Sequence, residues 1–151
     1  MNINYKFINN TFELSSKAKT LSQIRKYFSD IDIADLVFFT KNEWIKDQSS
    51  CLDEISKNIN STLYIVRSSA CNEDTIYSSN AGLNLSLQNV SKKELKVSID
   101  KVFGSYNEIS KNDEVLIQPM LKNVLISGVV FSHDPQTFSP YKTINWHHGN
   151  N

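Results

Sequence analysis

Thr62-Leu63-Tyr64-Ile65-Val66-Arg67-Ser68-Ser69-Ala70-Cys71-Asn72-Glu73-Asp74 sets an apolar, β-branched and aromatic run directly against a cluster of polar side chains. The run Thr62–Val66 predicts a buried strand. Such a strand delivers Arg67 to its carboxyl end, where ligand sites of sheet-and-helix proteins commonly lie. The arginine is followed by Ser68 and Ser69 and then by a small-residue loop, Ser78-Ser79-Asn80-Ala81-Gly82. Together these offer a phosphate a planar bidentate donor, hydroxyl donors and closely approachable backbone N–H groups. Arg67 also admits a structural reading, an ion pair with Glu73 or Asp74.

Outward from this stretch, composition narrows the function classes. The 151 residues suit one domain or two small lobes with a substantial core. Lys plus Arg equals Asp plus Glu, 16 against 16, and no basic run stands out, which disfavours nucleic acid or an anionic membrane surface as partner. Apolar residues fall in runs too short for a membrane span, and no charged head precedes an apolar core at the N-terminus, so a cytoplasmic location is expected. Cys51 and Cys71 lack CxxC spacing and histidine neighbours, so reduced thiols are expected. With four glycines and three prolines, turns must lean on Asn and Asp.

Along the chain, Ile3, Tyr5 and Phe7 alternate, Asn9-Asn10 suits a turn, and Phe12 and Leu14 resume the alternation, which predicts a β-hairpin. Ser15 or Ser16 then caps a helix with Leu21, Ile24 and Phe28 on one side. Lys17 sits in its first turn, where a cation gains nothing from the helix dipole. It is either a solvated surface lysine or a ligand for an anion. Asp35–Phe39 reads as a short strand, and Asn42 as the cap of a helix carrying Trp44, Gln48, Cys51 and Ile55. Trp44 and Cys51 are expected in the core.

Ser91-Lys92-Lys93-Glu94 is a capping box, and Leu95, Ile99, Val102 and Tyr106 follow at helical spacing, with Lys92, Lys93, Lys96 and Lys101 on the wet side. Glu114–Leu121 reads as a strand broken near Pro119, whose freed backbone groups suit reading the edge of a base. Val124–Phe131 is expected to pair with it across a Lys122-Asn123 turn, and Tyr141–Asn145 to form a further strand. His133, His147 and His148 make a poor metal site, since adjacent histidines on an extended segment point to opposite sides.

Three ordered motifs carry a resemblance. Ser15-Ser16-Lys17-Ala18-x-x-Leu21 is similar to a Gly-Gly-Lys-Ala-x-x-Leu segment. Arg67-Ser68-Ser69-Ala70-x-x-Glu73-Asp74 with Ser79-x-Ala81-Gly82-x-x-x-Ser86-x-x-Asn89-Val90 resembles a phosphate-site motif. Gln118-x-Met120 and Ser127-Gly128-Val129-x-Phe131-Ser132-x-Asp134-Pro135-x-Thr137 resemble a hinge and the hairpin that follows it. All three look like the nucleotide-binding domain of phosphoenolpyruvate synthases and pyruvate phosphate dikinases, over about Ser15 to Asn145. Two departures stand out: serines replace the Gly-Gly pair, and Phe138 stands where the family has glycine after Thr137.

The resemblance implies an α+β, ATP-grasp-like fold, partial in extent, with mixed, largely antiparallel sheets flanked by helices. The expected organisation is an N-terminal lobe over 1–110 and the start of a second lobe over 111–151. It implies ATP as ligand and Mg²⁺ as cofactor, held in the family by acidic residues after a further strand. Lys17 and Arg67 are the implied phosphate cations and catalytic residues. Ser68, Ser69, Ala81 and Gly82 line the phosphate site, and Gln118, Met120 and Leu121 lie at the adenine-side hinge. The implied function is the ATP-binding N-terminal portion of a kinase-type phosphotransferase, inactive alone. Its partner is the remainder of a multidomain enzyme with a phosphohistidine swivel domain. A catalytically dead relative serving as a nucleotide-binding or protein-interaction module is the alternative.

Overall fold

A computed structural model of the chain describes residues 15–70, 74–75, 78–79, 85–106 and 112–149. The chain divides into two units, Met1–Met120 and Leu121–Asn151. In the first, the strand read at the outset is real and longer than its apolar run: β2 spans Leu63–Ser69. Around it lie β1 (Val37–Thr40), β5 (Ser86–Ser91) and β6 (Glu114–Pro119). They form one four-stranded sheet in the order β1-β6-β2-β5, antiparallel in each pairing. A separate short pair joins β3 (Asp74–Thr75) to β4 (Ser78–Ser79).

Alternation along the strands decides what each face carries. Tyr64 and Val66 of β2, Val115 and Ile117 of β6, and Val37 and Phe39 of β1 share one buried face. Helix α3 (Gln48–Asn58) covers it with Cys51 and Ile55, and α4 (Leu95–Gly104) with Leu95, Ile99, Val102 and Phe103. Each such aliphatic side chain contributes about 1.5–3 kcal/mol by leaving water. Cys51 lies in this core, and burial, with Glu54 and other carboxylates nearby, pushes its thiol up to about 11. It is therefore a packing group rather than a nucleophile.

Caps set where the helices begin. Thr40 and Glu43 form a capping box that opens α2 (Lys41–Lys46), so Asn42 is not the cap expected of it. The chain then breaks at Asp47, whose carboxylate accepts from the Ser50 N–H and opens α3. One expected helix is thus two, because a second good cap lies inside its span. The Ser91–Glu94 box is present as expected. It opens a short 3₁₀ turn (Lys92–Glu94) that runs into α4. Both box glutamates are held below the usual carboxylate range, Glu43 by the Thr40 N–H and hydroxyl and Glu94 by the Ser91 hydroxyl and N–H.

One expectation is corrected by strand pairing. Glu114–Leu121 was expected to form a hairpin with Val124–Phe131, yet β6 lies inside the first sheet, between β1 and β2. Its apolar residues Val115, Leu116 and Ile117 are buried from both sides, which a two-stranded ribbon cannot provide. With β6 in the first sheet, the first unit runs to Met120. Asn123 still takes positive φ (54°), as an asparagine at a turn readily does. The expected N-terminal hairpin, Ile3 to Leu14, lies outside the described residues.

In the second unit β7 (Ile126–Phe131) pairs antiparallel with β8 (Thr143–His148), which starts and ends later than the Tyr141–Asn145 run suggested. Gly128 faces Trp146, and a Cβ there would lie 2.2 Å from the Asn145 carbonyl oxygen, so the close approach requires glycine. The connecting turn is organised by Asp134, whose Oδ1 accepts from the Gln136 and Thr137 N–H groups and the Thr137 hydroxyl. These bonds, the Thr137 N–H first, hold the Asp134 carboxyl below its ordinary value.

Phe138 has φ of 55° and is 80% exposed. A phenylalanine there carries the steric cost of the left-handed region and recovers little by burial. Phe138→Gly is expected to stabilise the hairpin by about 1 kcal/mol, read as roughly fivefold slower amide exchange across β7 and β8. Faster exchange would show that the aromatic ring, not the backbone, governs this turn.

Candidate functional site

The second face of the first sheet carries the residues of interest. Arg67 lies opposite Leu116 on β6 and Ser86 on β5, Ser69 opposite Glu114, and Ile65 opposite Gln118. Residues directly opposite on antiparallel strands share a face. Arg67, Ser69, Ser86, Glu114 and Gln118 therefore stand on one side of the sheet, away from α3 and α4. Because β2 continues to Ser69, Ser68 falls on the other side: it is buried, and its N–H donates to the Leu85 carbonyl at 3.2 Å. The strand was expected to end at Arg67 with the two serines beyond it, and it instead includes both. A period of two separates the hydroxyls.

Helix α1 (Lys17–Tyr27) brings its first turn to this face. Ser16 is the cap, its Oγ accepting from the Lys19 N–H at 3.3 Å. The Ala18 N–H donates to Ser69 Oγ at 2.9 Å, and Ser16 Oγ donates to Glu114 Oε2. Glu114 is 1% exposed, and its Oε1 meets the Lys19 ammonium at 2.6 Å. Oε1 has no aligned hydrogen-bond donor among the described residues, so its compensation is ionic rather than directed. On the strand side, Tyr106 accepts from the Ser69 N–H at 3.1 Å and donates to the Glu114 carbonyl. One hydroxyl thus ties the end of β2 to the start of β6.

Ala18 is fully buried in this contact, while Leu21, Ile24 and Phe28, the expected apolar face of α1, are only half-buried. Lys17, immediately before Ala18, and Arg67, two positions before Ser69, are both half-buried. Among the described residues no carboxylate forms a salt bridge with the Arg67 guanidinium. Glu73, Ala81 and Gly82 lie outside the described residues. Gln118 and Met120 are half-buried, and the Met120 N–H donates to the Leu63 carbonyl at 2.9 Å. Leu121 is exposed and begins the second unit.

Sequence reading missed Glu114, Ser16 and Lys19 as members of this cluster. The available signal was a carboxylate at the head of the apolar run Val115-Leu116-Ile117, a place that a charge occupies only with partners. Elsewhere, His147 and His148 alternate across β8 as expected. His147 Nδ1 lies 2.9 Å from Ser127 Oγ, and His148 packs edge-on to Trp146 at 5.3 Å. Among the described residues no group of three or more His, Cys, Asp or Glu side chains is placed to hold a metal ion. No described helix is long and apolar enough to cross a membrane. Comparison of the chain with protein-family models, with curated proteins and with solved structures gives no match.

Proposed function

We propose that the first unit binds ATP against the sheet face that carries Arg67, as the nucleotide-binding part of a phosphotransferase resembling phosphoenolpyruvate synthase and pyruvate phosphate dikinase. The observation that supports this most is the hydrogen bond from the Ala18 N–H to Ser69 Oγ, across a separation of 51 residues. It ties the segment bearing Lys17 to the strand bearing Arg67, two positions before Ser69 on the same sheet face. Arg67 presents a fork that matches two phosphate oxygens, and Lys17 adds a point charge. Ser69 serves by holding α1, since its buried hydroxyl is engaged by the helix. Gln118, further along the same face, supplies polar groups for the base.

In the enzymes that the motifs resemble, phosphoryl transfer also uses Mg²⁺ and a histidine on a separate swivelling domain. A second reading, a relative that binds nucleotide without transferring phosphoryl, is favoured by one feature: the Ala18 and Lys19 N–H groups are occupied by Ser69 and Ser16 and are not left for a phosphate.

Calorimetric titration with ATP and Mg²⁺ tests the binding reading. Arg67→Ala is expected to weaken binding about tenfold to a hundredfold, the loss of charge-assisted hydrogen bonds worth about 1.5–3 kcal/mol. Equal affinity in the two proteins, or no heat at millimolar ATP, would refute it.

A further inference from the structure

We infer that Glu114, with Ser16, is a positioning latch that sets Lys17 for the nucleotide, an inference that rests on the ATP reading above. A carboxylate that is 1% exposed at the start of a central strand requires compensation from polar or ionic partners. Here both partners come from the start of α1: the hydroxyl of its cap, Ser16, on Oε2 and the Lys19 ammonium 2.6 Å from Oε1. Ser69 adds the third tie by accepting from Ala18. These contacts engage residues 16, 18 and 19, on both sides of Lys17, and fix the helical position from which its side chain departs.

Stability alone gives no reason for the carboxylate. An apolar side chain of similar volume at position 114 would fill the space without the desolvation cost, and such replacements of buried ion pairs are commonly neutral or stabilising. What an apolar residue lacks is direction, for it cannot orient a helix terminus to a particular rotation. On the opposite side of the same backbone, Tyr106 joins Ser69 to Glu114. The two residues that hold α1 are thereby held to each other, and the latch is referenced to the strand that bears Arg67.

A double-mutant cycle in ATP affinity tests this, measured by calorimetry on the full chain as wild type, Ser16→Ala, Lys17→Ala and the double variant. Ser16→Ala is expected to weaken ATP binding about fivefold alone and to have no further effect once Lys17 is alanine, because coupled residues are not additive. Glu114→Gln, which keeps an acceptor for Ser16, is expected to retain more affinity than Glu114→Ala. It also replaces Ser16→Ala in the cycle if that variant does not fold. Additive losses, or an unchanged affinity in Ser16→Ala, would overturn the latch while leaving the ATP reading intact. A wild-type chain that does not bind ATP would overturn both.

Discussion

Trp44→Ala is expected to lower the unfolding free energy of the first unit by about 4 kcal/mol, the middle of the range for removing a buried tryptophan. Trp44 is 2% exposed and lies parallel to Phe39, with ring centroids 5.6 Å apart. Its Nε1–H donates to Asp100 Oδ1 at 2.8 Å, so one side chain joins α2 to β1 and to α4. Truncation removes the stacking, leaves a cavity beneath three elements, and deprives Asp100 of its donor. Trp44→Phe keeps most of the packing and loses the hydrogen bond, with an expected cost nearer 1–2 kcal/mol. Urea unfolding followed by circular dichroism at 222 nm reads both. A Trp44→Ala midpoint close to wild type would mean that α2 contributes little to the core.

Glu114→Ala is expected to cost about 3 kcal/mol, from a buried hydroxyl left without its acceptor and the cavity left by the side chain. The loss has two parts. Ser16 Oγ is buried and loses its acceptor, and removal of a side chain that is 1% exposed leaves a cavity. Lys19 adds little to the loss, because its side chain is 45% exposed and returns to water. The effect should concentrate in α1, visible as faster amide exchange over Lys17–Tyr27, while β2 and β6 keep their protection. Uniform loss of protection across the sheet would show that the carboxylate supports the whole unit instead of the helix docking.

These two residues mark what was legible in the sequence. Trp44 belongs to a pattern of apolar residues at helical spacing, and it lies in the core as that pattern implied, although Thr40 and Asp47 divide the span into two helices. The Ser91–Glu94 box and the apolar positions after it are local chemistry, and local chemistry decides where α4 begins. Glu114 was illegible because its partners stand almost a hundred residues earlier, at Ser16 and Lys19, and no periodicity links them. β6 was misassigned for the same reason. The turn-like Lys122-Asn123 suggested its neighbour, whereas burial of Val115, Leu116 and Ile117 favoured the centre of the first sheet. The polar end of β2 misled in a different way: hydroxyls suit a loop and a strand equally, so nothing local separated Ser68 from Arg67 and Ser69.

Asn89 shows a device that composition only hinted at. The pairing of β2 with β5 shifts between Tyr64 and Val66, and Asn89 takes φ of 56° there. In a chain with four glycines, an asparagine supplies the left-handed residue of a bulge. The bulge lies on the edge strand beside Arg67, where Ser86 faces the same side.

The most direct test of the central claim, that one sheet face and the first turn of α1 together form the phosphate site, is a two-dimensional ¹H–¹⁵N spectrum recorded through a titration with ATP and Mg²⁺. The account predicts that the amide shifts concentrate at Lys17, Ala18, Arg67 and Ser69, with smaller changes at Gln118. Shifts confined to Leu121–Asn151, or a spectrum unchanged at millimolar ATP, would contradict it.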